Sequence, residues 1–299
     1  SAIGATDAEA KRFEAILAKD PDVEKYVAYV GGGSPRFYLP LDQQLDNTNL
    51  VEFIVTAKGN GGRDRLQKRI EDVIENDFSR VRGRVQPLQN GPPVPYPVAF
   101  RVSGPDYDEL RRIGNEMAGV MRANPNMRFT HLDWNEKNKV VKLEIDQNKA
   151  RMVGVNSQAL SNTLNSLLTG FHVTEFRERD KMIEVLARAE SPERRSLAEI
   201  GDINVPTQSG RWVPLSHVAK ITYAFEDGLV WRRDRLPTIT VQGDVVGSIQ
   251  APVVSQQLRS GMDALGAKLP SGYRIEMGGA IEESERSQGS VNAVLPLML

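Results

Sequence analysis

Three histidines, His131, His172 and His217, are the side chains best suited to proton transfer or metal binding near neutral pH, and the chain of 299 residues has no cysteine. None of the histidines stands at ligand spacing from another, and no HExxH is present. The absence of cysteine removes disulfides, thiolate metal sites and cysteine nucleophiles together. Gly31-Gly32-Gly33 lacks the spacing of a phosphate-cradling loop, and there is no GxGxxG, GxxxxGK[ST] or GxSxG run. Glu282-Glu283 are adjacent on a helix and so point to different sides. These residues predict no enzyme, no metal site and no cofactor.

Net charge is −1, so no electrostatic field draws the chain onto nucleic acid or anionic lipid. Charges alternate closely in Arg232-Arg233-Asp234-Arg235, as on a solvated face, and no aromatic RNA-reading motif appears. A nucleic-acid partner is therefore not expected. Composition is that of a globular protein, with 40% apolar and 26% charged residues.

Positioning falls to amphipathic helices that alternate with strands. Apolar residues at spacings of three and four mark helices over Asp7–Lys19 (Ala10, Phe13, Leu17), Arg63–Phe78 (Leu66, Ile70, Val73), Asp106–Ala123 (Leu110, Ile113, Met117, Val120) and Gln250–Lys268 (Val254, Leu258, Met262, Leu265). Asp106, with Glu109 three residues on, reads as an N-cap. Asp20-Pro21-Asp22, Asn124-Pro125-Asn126 and Pro270-Ser271-Gly272 stop three of the helices. Each leads into a strand: Val23–Val30, Arg84–Leu88, Met127–Trp134 and Tyr273–Met277. Further strands are predicted over Leu50–Ala57, over Val98, Phe100 and Val102, and over Ile239 and Val241, where period two turns one face inward. Strand, helix, strand, strand, helix, strand, run twice, is a repeated ferredoxin-like βαββαβ unit. Both helices of such a unit lie on one face of its sheet, and the other face is left to meet a neighbour.

The second copy is interrupted. Val141, Leu143 and Ile145 predict a strand, Asp146–Met152 and Ser157–Leu168 helices, Ile183, Val185 and Ala187 a strand, and Thr207-Gln208-Ser209-Gly210 a hairpin turn. The stretch reads as a small α+β subdomain inserted into the second repeat.

The run Ile145-Asp146-Gln147-Asn148-Lys149-Ala150-Arg151-Met152-Val153-Gly154-Val155 resembles the ID-x-x-KA-x-x-x-GV signature of resistance–nodulation–division (RND) efflux permeases of the hydrophobe/amphiphile type. Four other stretches resemble that family in the same order: Gly4-Ala5-Thr6, Val102-Ser103-Gly104-Pro105-Asp106, Arg232 to Val241, and Gly278-Gly279 with Glu282. Two departures stand out. The strand that the family places before the Gly-Ala-Thr segment is missing, and Asp234-Arg235-Leu236 replaces a common Asn-Gly.

The resemblance implies the second periplasmic loop of a Gram-negative inner-membrane pump. Residues 1–91 would be one porter subdomain. Residues 92–138 and 218–281 would form a second, and residues 139–217 a docking subdomain. The apolar run within 282–299 would be the start of a transmembrane helix, with a tail packed on the core as the lesser alternative. Implied partners are hydrophobic or amphiphilic drugs, a periplasmic adaptor protein, an outer-membrane channel and a homotrimer of the full pump. The cleft between porter subdomains would bind and expel substrate, and two segments are its candidate lining. One is the loop of Phe37, Tyr38 and Leu39. The other runs from Leu88 to Tyr96 through Pro92-Pro93-Val94-Pro95. Packing remains open as the role of Phe37 and Tyr38, as does a stiff linker for the prolines. A heavy-metal exporter would use cleft methionines, and none of the eight falls in these segments. An assembly-only role is the other alternative.

Overall fold

The computed structural model describes residues 3–88, 94–188, 197–247 and 249–298. The Gly91/Pro92 boundary and the Pro92-Pro93 pair lie outside the described residues. The fold is mixed α+β, in two compact units: Ser1–Trp134 with Val230–Leu299, and Asn135–Leu229.

The first unit opens with helix α1 (Ile3–Leu17), strands β1 (Val23–Val30) and β2 (Val51–Ala57), and helix α2 (Gly59–Asp77). Both helices start about four residues earlier than the apolar spacing alone marks, because the added residues are exposed apart from Thr6 and Gly62 and carry no periodic apolar signal. β1 and β2 pair antiparallel. Leu17, Leu66 and Ile70 form the core of this lobe, with Phe13 edge-on to Phe53 at 4.9 Å. The turn between α1 and β1 is tied to α2 by ion pairs. The Arg69 guanidinium reaches Asp20 at 2.7 Å and Asp22 at 2.6 Å, and Arg65 adds a second fork to Asp22. The hydrogen bond from Arg65, then that from Arg69, hold the Asp22 carboxyl down at about 2.

The chain continues through β3 (Val98–Ser103), α3 (Tyr107–Arg122) and β4 (Met127–Leu132). Asp106 caps α3, its side chain accepting from the Glu109 backbone N–H at 2.8 Å.

The second unit follows: β5 (Asn138–Ile145), α4 (Gln147–Met152), α5 (Ser157–Leu164), β6 (Phe171–Glu178), β7 (Lys181–Ala187), α6 (Leu197–Gly201), β8 (Asn204–Pro206), β9 (Trp212–Pro214) and β10 (Ala219–Glu226). The Asp146 side chain caps α4, and Asn156 caps α5. β5 pairs with β10 over their full length, and β8 with β9 around the 207–210 turn. Leu160, Val205, Leu215 and Val218 are its buried centre. The β6–β7 hairpin is exposed along its whole length, Phe171, Phe176 and Leu186 included.

The chain then returns to the first unit with β11 (Arg232–Arg233), β12 (Leu236–Val245), α7 (Ala251–Gly266), β13 (Arg274–Gly279) and α8 (Ala280–Met298). The sheet order is β13-β3-β12-β4, all antiparallel, with β11 flanking β12. This is the order of a split β-α-β unit. One face carries Val98, Phe100, Val102, Ile239 and Val241 under Leu110, Ile113 and Met117 of α3 and Val254, Leu258 and Met262 of α7. Trp134 closes that core, donating Nε1–H to the Thr238 carbonyl at 2.8 Å. Among the described residues, no helix is long and apolar enough to cross a membrane.

One expected strand is corrected. Arg84–Leu88 forms no ladder. In the complete sheet the last strand, β13, pairs only with the first, β3. No strand takes the equivalent first place among the described residues of the lobe formed by α1 to α2. Its last segment therefore has no edge to join, although Val85 still packs on the core.

Met117→Ala, at a fully buried position, is expected to cost roughly 2–5 kcal/mol. Urea unfolding followed by tryptophan fluorescence, of which Trp134 is the buried reporter, checks this: the midpoint falls while the slope stays the same.

Candidate functional site

The face of the β13-β3-β12-β4 sheet turned away from α3 and α7 is polar. Register puts Glu276 and Thr240 on either side of Arg101, and Gln242 opposite His131. Beyond Gln242 the β12–β4 register slips, and Asp244 then faces Arg128. The slip is a bulge: Phe129 and Thr130 together oppose Gly243, and Phe129 is held at φ 55°. Gly243 is required there, since a Cβ would lie 2.9 Å from the Arg128 carbonyl oxygen. A one-residue slip exchanges the faces of a strand. Without it Phe129, not Arg128, would stand beside Asp244.

Two side chains from the α1–α2 lobe and its following segment meet this corner. Arg84 grips Asp244 with both prongs, Nε to Oδ2 at 2.7 Å and Nη2 to Oδ1 at 2.9 Å. Glu71 of α2 reaches Arg128 at 3.5 Å. Arg84 also donates to the Pro95 carbonyl, and its guanidinium carbon lies 4.2 Å from the centre of the Tyr96 ring. Tyr96 in turn meets His131 edge-on at 4.7 Å.

Desolvation sets the electrostatics here. Burial lowers the His131 imidazole to about 4 and raises the Tyr96 phenol and the Asp42 carboxyl. Asp133, whose Oδ1 accepts from the Thr240 N–H at 2.9 Å, is pushed up to about 6, chiefly by burial. Asp42 lies in the loop that carries Phe37 and Tyr38, and both Arg84 and Tyr96 feel its charge. The base of that loop and Tyr96 are thus electrostatic neighbours.

The five residues expected to contact substrate separate into two kinds. Phe37, Leu39 and Leu88 are exposed, at 51%, 79% and 55%, and the Phe37 and Tyr38 rings lie 5.4 Å apart. Tyr38 and Tyr96 are half-buried, and Tyr96, between Arg84 and His131, braces an ion pair. Shallow depressions lined by Ala15, Lys19 and Arg69, and by Pro252, Val253 and Gln256, contain none of the five. Sequence reasoning missed Arg84, Asp244, Glu71 and Arg128. The available signal was an arginine and an aspartate on polar positions flanking apolar strands, too common a pattern to single out.

Elsewhere on the polar face Arg101 pairs with Glu282 at 2.7 Å, and Arg233 pairs with the same carboxylate at 3.2 Å. Of the eight methionines, Met117, Met121, Met127 and Met262 are buried in the core beneath the helices, and Met277 packs against them. Among the described residues, no group of three or more histidine, aspartate or glutamate side chains is placed to hold a metal ion.

A family model described as the AcrB/AcrD/AcrF family matches residues 2–299. The chain is 25% identical over 190 residues to multidrug export protein AcrF of Escherichia coli (strain K12), covering 63% of this chain and 18% of that protein. It is 20% identical over 211 residues to the cobalt-zinc-cadmium resistance protein CzcA of Cupriavidus metallidurans, covering 68% and 19%. A crystal structure of a heavy metal efflux pump superposes with a TM-score of 0.79 at 19% identity, over 99% of this chain and 31% of that one. That likeness speaks for the fold alone. The chain spans less than a fifth of the length of these curated relatives.

The Asp133 carboxyl sits above its ordinary 3.8, so the fold favours its neutral form. The stability this gives is present below about pH 4 and lost as pH rises through about 6. Asp133→Asn keeps the accepting oxygen without the charge. It is expected to gain about 1–2 kcal/mol at pH 8 and almost nothing at pH 4, as read from paired urea titrations.

Proposed function

The chain belongs to the AcrB/AcrD/AcrF family of RND efflux permeases, and from that premise we propose that it is the periplasmic porter and docking portion of a proton-driven pump in a Gram-negative inner membrane. The lobe of α1, β1, β2 and α2 is one porter subdomain, and the β13-β3-β12-β4 sheet with α3 and α7 is the next. The unit Asn135–Leu229 is the docking subdomain. The full pump is a homotrimer that works with a periplasmic adaptor and an outer-membrane channel, and its proton relay lies outside this chain.

The observation that carries the reading is that the β1–β2 and β13-β3-β12-β4 sheets remain separate and meet through side chains. Two bodies without a shared ladder can rock, opening and closing the space between them. Substrate moves outward if the open state binds it and the closed state does not.

For cargo, hydrophobic or amphiphilic compounds are favoured over soft metal ions. Phe37 and Leu39 offer exposed apolar surface on a long loop, a adaptable surface of the kind that accepts many shapes. Five of the eight methionines are committed to core packing, where a thioether is filler and not a ligand. The exposed apolar residues of the β6–β7 hairpin favour an additional assembly role for the docking unit.

In the full pump, Phe37→Ala with Tyr38→Ala is expected to raise drug susceptibility at unchanged expression; unchanged resistance would favour the assembly-only role. Titration of the chain with Ag(I) is expected to give no tight binding, and a tight site would move the reading to heavy-metal export.

A further inference from the structure

We infer that Arg84, Asp244, Glu71 and Arg128 form a four-charge latch that holds the α1–α2 lobe against the polar face of the β13-β3-β12-β4 sheet and must release when the two bodies part. The inference rests on the two-body porter reading and adds to it the residues that set the closed state.

Three observations carry it. First, the charges alternate across the contact. Asp244 and Arg128 are opposite one another in the β12–β4 register, and each takes a partner of opposite sign from the other body. Second, the sheet is bent out of regular register to present them. The bulge at Phe129 and Gly243 puts Arg128 where Phe129 would otherwise stand, and it holds Phe129 in the left-handed region that non-glycine residues seldom adopt. Third, the Arg84–Asp244 pair is largely shielded, with side chains 19% and 12% exposed, and Tyr96 lies against the Arg84 guanidinium. A bidentate fork under an aromatic ring has one good geometry. Contact of the two bodies therefore makes the pair, and their separation breaks it.

The segment that bears Arg84 strengthens the point. Arg84–Leu88 has no ladder of its own. Its position is set by Val85 in the lobe core and by Arg84 on the other body. Arg84 thus bridges the two directly, and Tyr96 acts as a positioning residue for it.

The cysteine-free sequence allows two spin labels, at Glu75→Cys on the exposed side of α2 and Gln256→Cys on the exposed side of α7. Distance distributions from the 299-residue chain then report how the bodies are held. Arg84→Asp or Asp244→Arg alone is expected to raise the longer-distance population at least roughly tenfold, because each leaves a shielded charge facing its like. Where a reversal does not fold by circular dichroism, Asp244→Asn takes its place, with the same lengthening expected. An unchanged distribution in a folded single variant overturns the latch. The measurement involves no transport. A pump that failed to export organic compounds would leave the latch standing, and an unlatched chain would leave the cargo reading standing.

Discussion

Helices packed on one face of a sheet consume that sheet's apolar residues and leave its other face to find polar partners. In the β13-β3-β12-β4 sheet the buried side is filled by Val98, Phe100, Val102, Ile239 and Val241. Period two then delivers Arg101, Thr240, Gln242 and Asp244 to the opposite side. This separation supplies a stable core on one side and a charged, adjustable contact surface on the other. It also keeps Asp133 and His131 close to structure that excludes water, which shifts both toward their neutral forms.

The contact surface is suited to being remade. An apolar interface gains free energy in proportion to the area it hides, so parting it is costly. An ion pair differs, because much of its Coulomb attraction is offset by the hydration given up to form it. When Arg84 and Asp244 separate, water solvates both ends, and the net cost is modest. The same pair in closed geometry is directional, since a guanidinium fork meets a carboxylate in only a few ways. The proposed porter motion calls for both properties: a defined closed state and a low cost for leaving it.

Membership of the family at about 20–25% identity, with the fold kept across nearly the whole chain, fits the same division. What persists is the strand order and the helix-covered face, which any set of well-fitting apolar side chains satisfies. Loops and polar faces are freer to diverge. Here five of the eight methionines pack in the core, and Phe37 is exposed on a loop.

Much of the fold was legible in the residues. The apolar spacing in α3 and α7, the Asp106 cap and the alternation in β3 and β12 are local signals, and local signals survive without tertiary context. The four-residue polar turn at 207–210 likewise announced a hairpin. β6 was missed because Phe171, Val173 and Phe176 do not keep strict alternation and the strand buries neither face. Arg84–Leu88 was read as a strand from its pattern, but a strand needs a neighbour, and pattern cannot supply one. The Arg84–Asp244 pair was invisible for the same reason, its partners being 160 positions apart, and no propensity predicts the bulge at Phe129 that brings Arg128 beside Asp244. Tyr96 was singled out as a candidate cleft residue, and only packing could decide that it faces an arginine. Sequence alone determined which surfaces are apolar and at what period, because that is written within a few residues of each position. Tertiary structure decided which polar groups face each other, because that depends on chain segments brought together by the burial of everything else.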